Sequence, residues 1–240
     1  MSARLEELDW QPTPMGVISL RRRRDPLSGV DVFEVKLDDE YLMSSLWTVA
    51  EVEVARLALA LLPGTDLDVV VGGLGLGYTA QEVLADPRVR SLTVVERLGE
   101  VIDWHRRELI PVGAVLSGDA RCSLVQGDFF ALVEAPDGLD PWVPSRRFHA
   151  IVVDIDHSPR HVLHPSHTGF YDEAGTRRLA EHLHPGGVFS LWSNDPPDED
   201  YLAVLRTVFP EVSATVVAFD NPVKGGESTN TVYLALTAGA

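Results

Sequence analysis

From Leu67 onward, short apolar runs alternate with stretches whose apolar positions recur at helical spacing. "LDVVVGG" predicts a strand running into glycines, and "YTAQEVLAD" the helix after it, stopped by Pro87. "SLTVVE" predicts a second strand, and "LGEVIDWHRREL" a second helix that ends before Pro111. "RCSLVQGD" reads as a third strand with a short helix over "FFALVEA", and "FHAIVVDID" as a fourth strand. A polar loop then leads to a helix over "YDEAGTRRLAEHL", a fifth strand "GGVFSLWS", and the helix "PDEDYLAVLRTVF". That helix carries acids in its first turn, where they suit the helix dipole. The chain closes with "EVSATVVAFD" and "TNTVYLALT", two strand runs joined by "NPVKGGES".

Strands alternating with helices predict a parallel sheet covered on both faces. The runs VVV, IVVD and TVV fit strands buried on both sides. The last two strands are joined too tightly for a helical crossover, so they pair antiparallel. Residues 1–62 read differently. "GVISLRRRR" and "DVFEVKLDDEYLMS" are strand-like and "TVAEVEVARLALALL" is helical, which predicts a small N-terminal β extension plus a helix. Residues 63–240 then form the main α/β domain. The run Arg21 to Arg24 lies between a strand and the turn-like "DPLSG", and is expected to be a solvated hairpin end.

Composition narrows the partners. With 240 residues, 45% of them hydrophobic, the chain can bury one sizeable core. A formal net charge of −16 excludes a nucleic-acid backbone as partner, since binding one requires a basic face. The same field attracts small cations. The lone Cys122 excludes an internal disulfide and suits a reducing compartment. No uncharged apolar run approaches the roughly 18 residues of a membrane span, and "MSARLEELDWQPTP" has acids where a leader needs bases. The expectation is a cytoplasmic protein with no membrane partner.

In an open α/β sheet, ligands bind outside the carboxyl ends of the strands, where strand order reverses. The first end presents Gly72, Gly73, Gly75 and Gly77, which let the backbone turn tightly and approach a ligand. The second presents Glu96, placed to accept from ribose hydroxyls. The third presents Asp128, either an adenine-amino acceptor or a helix cap, with Phe129 or Phe130 beside it. The fourth presents Asp154, leading into "DIDHSPRHVLHPSH". "GLGYTA" also satisfies the NAD fingerprint, although an NAD enzyme gives Asp128 and the terminal hairpin no role. The histidine-rich loop is a substrate-facing gate, a solvated connector, or a metal site from His157, His161, His164 and His167. Their spacing matches no ligand motif and Pro159 and Pro165 break any helical face, so no metal is expected.

Together, "VVVGGLGLGYTAQEV", "TVVE", "QGDFFAL", "FHAIVVDIDHSP", "GFYDEAGTRRLAEHLHPGGVFSLW" and "TNTVYLAL" resemble the spermidine synthases, or polyamine aminopropyltransferases. These belong to the class I S-adenosylmethionine-dependent methyltransferase fold. The resemblance runs from about Leu67 to the C-terminus. It implies a Rossmann-like seven-stranded sheet with an antiparallel C-terminal hairpin, and a homodimer. It also implies that decarboxylated S-adenosylmethionine passes an aminopropyl group to a diamine. Gly73, Gly75, Gly77, Glu96, Asp128 and Phe129 would hold the nucleoside, and Asp154 matches the family's base. A base is needed because the acceptor amine is protonated at neutral pH.

Three departures qualify the resemblance. Leu76 stands where the family has an aspartate that grips the aminopropyl nitrogen. His157 replaces the family's second loop aspartate, with Asp156 one residue early. "SSLWTVAEVEV" offers Trp47 and Glu51 in place of a Tyr-His-Glu segment. The reading is therefore a transferase acting on a small-molecule amine or other small acceptor. Asp154 is the base, Asp156 or His157 steers the acceptor, and His161, Tyr171, Trp47 and Glu51 form a substrate gate, with the core the better-suited place for Tyr171. S-adenosylmethionine itself is the alternative cofactor, for a small-molecule methyltransferase. A non-catalytic nucleoside-binding relative is the third reading.

Overall fold

The first forty-odd residues form a sheet of their own. In the computed structural model, which describes residues 5–26, 28–221 and 225–239, β1 (Leu5–Thr13), β2 (Gly16–Arg24), β3 (Asp31–Leu37) and β4 (Glu40–Ser44) pair antiparallel in that order. The single predicted strand over 31–44 is thus a hairpin. It turns at Asp38, whose φ of 52° is left-handed and whose carboxylate accepts from the Val17 amide at 2.7 Å. β1 carries no clean alternation because most of its residues are exposed, and its register comes from pairing with β2. The Arg21–Arg24 run is not a loose hairpin end. It lies inside β2 and is ion-paired to Glu7, Glu6, Glu34 with Asp25, and Asp31 respectively.

After α1 (Val49–Ala60) the strands and helices alternate as the apolar pattern requires. They are β5 (Leu67–Gly72), α2 (Tyr78–Ala85), β6 (Val89–Glu96), α3 (Gly99–Arg106), α4 (Gly113–Gly118), β7 (Cys122–Gln126), α5 (Phe129–Glu134) and β8 (Phe148–Val153). A 3-10 helix (Pro165–Tyr171), α6 (Glu173–Glu181), β9 (Leu183–Ser193), α7 (Glu199–Arg206), β10 (Glu211–Asp220) and β11 (Glu227–Leu236) complete the chain. The short α4, packed under α3 between Pro111 and Asp119, was not foreseen; at 6 residues its periodicity is invisible.

The large sheet has the order β10-β11-β9-β8-β5-β6-β7, with β11 antiparallel to both neighbours and the strands from β9 to β7 parallel. This is the seven-stranded class I order with the antiparallel terminal hairpin. β5 is buried along its whole length, which explains its unbroken apolar run. Helix α1 packs on α2, β9 and β11, and Ile18 and Leu20 of the small sheet belong to the same apolar cluster as Val69 and Val71 of β5. The two sheets therefore share one core. Among the described residues, no helix is long and apolar enough to cross a membrane.

Candidate functional site

Strand order reverses between β5 and β8, and their carboxyl ends are level, with Gly72 paired to Val153 on one side and to Val95 on the other. The glycine loop leaves at this point, its path fixed by the Gly73 amide on the Val95 carbonyl at 2.9 Å. Gly73 has a φ of 94°, and a Cβ there would collide with the Asp154 carbonyl oxygen. Only glycine fits. Gly75 (φ 48°) lies against the Met43 side chain, whose sulfur accepts from the Leu76 amide at 3.0 Å. Gly77 (φ 89°) caps α2 beneath His105 and Leu116. Burial lowers the His105 pKa, and its neutral ring donates Nε2–H to the Gly75 carbonyl at 2.9 Å. A strand from the small sheet and a helix from the main domain thus clamp the loop from two sides.

Above the loop opens a cavity of about 680 Å³, the size of a small-molecule site. One end is lined by Gly73, Gly75, Glu96, Asp128, Phe129 and Phe130. Glu96 accepts from the Leu74 amide at 3.0 Å and from the Leu98 amide at 2.8 Å, bracing the loop from below. Burial raises its pKa, and these backbone donors offset part of the rise. Asp128 both caps α5 and faces the cavity. Its Oδ1 accepts from the Phe130 and Ala131 amides at 3.1 and 3.2 Å, and its Oδ2 takes Arg97 at 2.7 Å. The roles left open for Asp128 are therefore compatible in geometry.

The other end holds Trp47, Glu51, Asp154, Trp192, Asn194 and Asn230. Asp154 accepts from the Thr79 hydroxyl at 2.8 Å. Burial pushes its carboxyl up to about 6, against the Thr79 hydrogen bond. Glu51 rises to about 8, first through burial and then through the charge of Asp154. Two carboxyls that repel each other in one enclosed space are poor anions when alone, and a bound cation relieves both. Leu76, by contrast, is buried in the core and leaves the glycine loop without a carboxylate of its own facing the cavity.

The histidine-rich loop divides its side chains. Asp156, expected to steer an acceptor, is only 1% exposed and serves the loop itself. It accepts from the Leu163 amide at 2.7 Å, His167 Nδ1 at 2.8 Å and the Tyr171 hydroxyl at 2.8 Å. Tyr171, expected at a gate, is buried on that carboxylate. His157 does line the cavity, with Nε2 3.0 Å from Glu40 of β4. His161, another gate candidate, sits outside it on a surface cleft, 2.8 Å from Asp195, which Ser158 also contacts at 2.6 Å. Both contacts use the same carboxylate oxygen, and His161 meets Asp195 and Ser158 through the same nitrogen, Nδ1, an arrangement that ties a turn and aligns no nucleophile. His157 and His167 line the cavity, His161 lines the surface cleft and the His164 ring lies 5.8 Å from that of His167, and among the described residues no three metal-ligating side chains converge.

Strand-end logic applied to β9 would have found Trp192 and Asn194, since "LWSN" is its carboxyl end. Asn230 needed the hairpin pairing, which turns the amino end of β11 toward the site. Met43 had no signal in the sequence pattern, since it reaches the cavity through tertiary packing, while His167, singled out only as one of the loop histidines, does line the cavity.

No family model matches the chain. Over 165 residues it is 28% identical to polyamine aminopropyltransferase 2 of Pseudomonas aeruginosa, covering 63% of this chain and 43% of that protein. Over 161 residues it is 27% identical to putrescine N-methyltransferase 2 of Nicotiana tabacum, covering 65% and 42%. The chain therefore spans less than half the length of the curated relatives it matches. Its fold superimposes on a spermidine synthase in complex with the transition-state analogue AdoDATO with a TM-score of 0.71, at 19% identity, over 98% of this chain and 73% of the other.

Proposed function

We propose that this chain, whose fold is spermidine-synthase-like, is a transferase that moves an alkyl group from an S-adenosylmethionine-type nucleoside to a small amine. The observation that carries this reading is the single cavity with unlike ends. One end offers a glycine loop, a braced carboxylate at the end of β6, and Asp128 with two phenylalanines, a set that suits a ribose and an adenine. The other offers Asp154 and Glu51, a pair that suits an ammonium group. The glycine cradle, which a Cβ would fill, fits a nucleoside brought close to backbone.

In the reaction, the amine nitrogen forms a bond to the carbon attached to the sulfonium sulfur. That carbon–sulfur bond breaks, and its electron pair stays on sulfur as a neutral thioether. The proton lost by nitrogen passes to a carboxylate, and Asp154 lies at the strand end beside the glycine loop. A carboxyl held near 6 is a suitable acceptor at neutral pH, being mostly ionised yet basic enough to hold a proton briefly. Glu51 then holds the acceptor's charge. The resemblances to an aminopropyltransferase and to an amine methyltransferase share this amine end.

Aminopropyl transfer is the leading form of the reaction. Methyl transfer is the second, favoured by Leu76, since no acid on the glycine loop grips an aminopropyl nitrogen. The cytoplasmic location read from the sequence belongs to the same proposal and is supported by the lone Cys122, while the homodimer rests on the family resemblance alone. The deciding experiment offers purified protein putrescine with decarboxylated or with carboxylated S-adenosylmethionine and follows the amine product by mass spectrometry. A larger thermal stabilisation and turnover with the decarboxylated form supports aminopropyl transfer. The reverse installs methyl transfer. Binding without product under any amine removes the catalytic reading.

A further inference from the structure

His167 is 2% exposed and lines the cavity at the Phe130 end. Its ring stacks on Phe130, with centroids 3.9 Å apart and planes at 26°. Nδ1 lies 2.8 Å from the Asp156 carboxylate, which also receives the Tyr171 hydroxyl and the Leu163 amide. Acceptance by Asp156 puts the ring proton on Nδ1. Burial keeps the Tyr171 phenol well above its ordinary range, so it stays a donor, and Tyr171 and His167 both donate into the Asp156 carboxylate. Nε2 is then a lone-pair acceptor, buried and without a hydrogen-bond partner among the described residues. A buried acceptor left unpaired is costly, and an orphan of this kind in an otherwise satisfied network calls for a donor from outside the protein.

The position says which donor. Phe130 follows Asp128 and Phe129 directly, at the end where the base of a nucleoside would lie. Asp128 can accept only one N–H of that base, because its Oδ1 takes two backbone amides and its Oδ2 already takes Arg97. An adenine ring brings an exocyclic amino group with two N–H bonds. A hypoxanthine ring brings a carbonyl oxygen to the same place, which would face the Nε2 lone pair.

We propose that His167, held by Asp156 and Tyr171, is a specificity-determining acceptor that reads the amino group of the base and makes this cavity select adenine over hypoxanthine. The assignment rests on the nucleoside reading above. His167 touches the base and takes no part in the transfer. Asp156 and Tyr171 act through it as positioning residues.

The test uses two probes, 5′-methylthioadenosine and its inosine counterpart, titrated by calorimetry into the full chain. The wild type binds the adenosine probe about ten-fold more tightly or better, the discrimination a site gains from a satisfied buried acceptor. His167→Phe, which keeps the stack on Phe130 but removes the acceptor, brings that ratio below about three-fold, mainly by weakening the adenosine probe. A readout on the wild type alone guards against a variant that fails to fold. In 15N-histidine-labelled protein, one unprotonated Nε2 signal shifts when the adenosine probe is added and stays in place with the inosine probe. If both probes bind and the ratio survives His167→Phe, or no histidine nitrogen responds, the assignment of His167 falls while the nucleoside site stands. If the wild type binds neither probe, the nucleoside reading itself fails and takes this one with it.

Discussion

Replacing Glu51 by glutamine separates its charge from its shape. A carboxyl moved from 4.5 to about 8 opposes its own ionisation by at most about 5 kcal/mol, at about 1.4 kcal/mol per pH unit. Water in the open cavity and relaxation of the shared site screen more than half of this, leaving about 2 kcal/mol. Because the folded-state pKa values of Glu51 and Asp154 are raised, their contribution to stability is whole below about pH 4 and is lost as pH rises through about 6 and then about 8. Wild type and Glu51→Gln should therefore melt together near pH 5. By pH 9 the wild type should melt lower by about 4–8 °C, since 1 kcal/mol moves a chain of this size by about 2–4 °C. The assay is thermal melting by circular dichroism from pH 5 to 9 at constant ionic strength. Taking the difference between the proteins cancels the pH response of the rest of the acidic surface. Putrescine should add more to the wild-type midpoint at pH 8 than at pH 5, and this increment should vanish in Glu51→Gln. Parallel curves within about 1 °C across the range would show that Glu51 does not meet Asp154 in a shared, poorly hydrated space.

Three further outcomes follow from the same geometry. Asp154→Asn should abolish turnover while changing affinity for 5′-methylthioadenosine less than about three-fold, measured by calorimetry beside a product assay; retained turnover refutes its role as base. Gly73→Ala should cost more than about 3 kcal/mol in urea unfolding, because it adds a Cβ against the Asp154 carbonyl at a left-handed φ. Asp156→Asn cannot accept from all three of its donors, and should lose about 2–3 kcal/mol. Faster hydrogen exchange over residues 157–171 and earlier tryptic cleavage at Arg160 would report it, whereas an unchanged exchange pattern would mean that the loop holds by other contacts.

Much of the fold was legible because its strands are buried on both faces. Runs such as Val69–Val71 and Ile151–Val153 cannot be surface, and the glycines, acids and aspartate at their ends mark the side where ligands enter. β1 was illegible for the opposite reason: it is an exposed edge strand whose place is set by cross-strand pairing, which leaves no period in the sequence. The site was legible where a residue's place follows from its own strand, as with Glu96, Asp128 and Asp154. It was illegible where a side chain travels. Asp156 and Tyr171 lie close in sequence to the cavity yet turn inward to each other, while Glu51, on a helix far upstream, was offered by the family resemblance and by no pattern of its own strand or loop.

The clamp on the glycine loop has a consequence for how the molecule comes together. Met43 presses on Gly75 from near one terminus, while Asn230 closes the cavity from near the other. The lining runs from Met15 to Asn230, so a nascent or clipped polypeptide lacking either flank should be blind to small molecules. Recognition then depends on both flanks being packed on the central sheet, and ligand occupancy can report that they have docked.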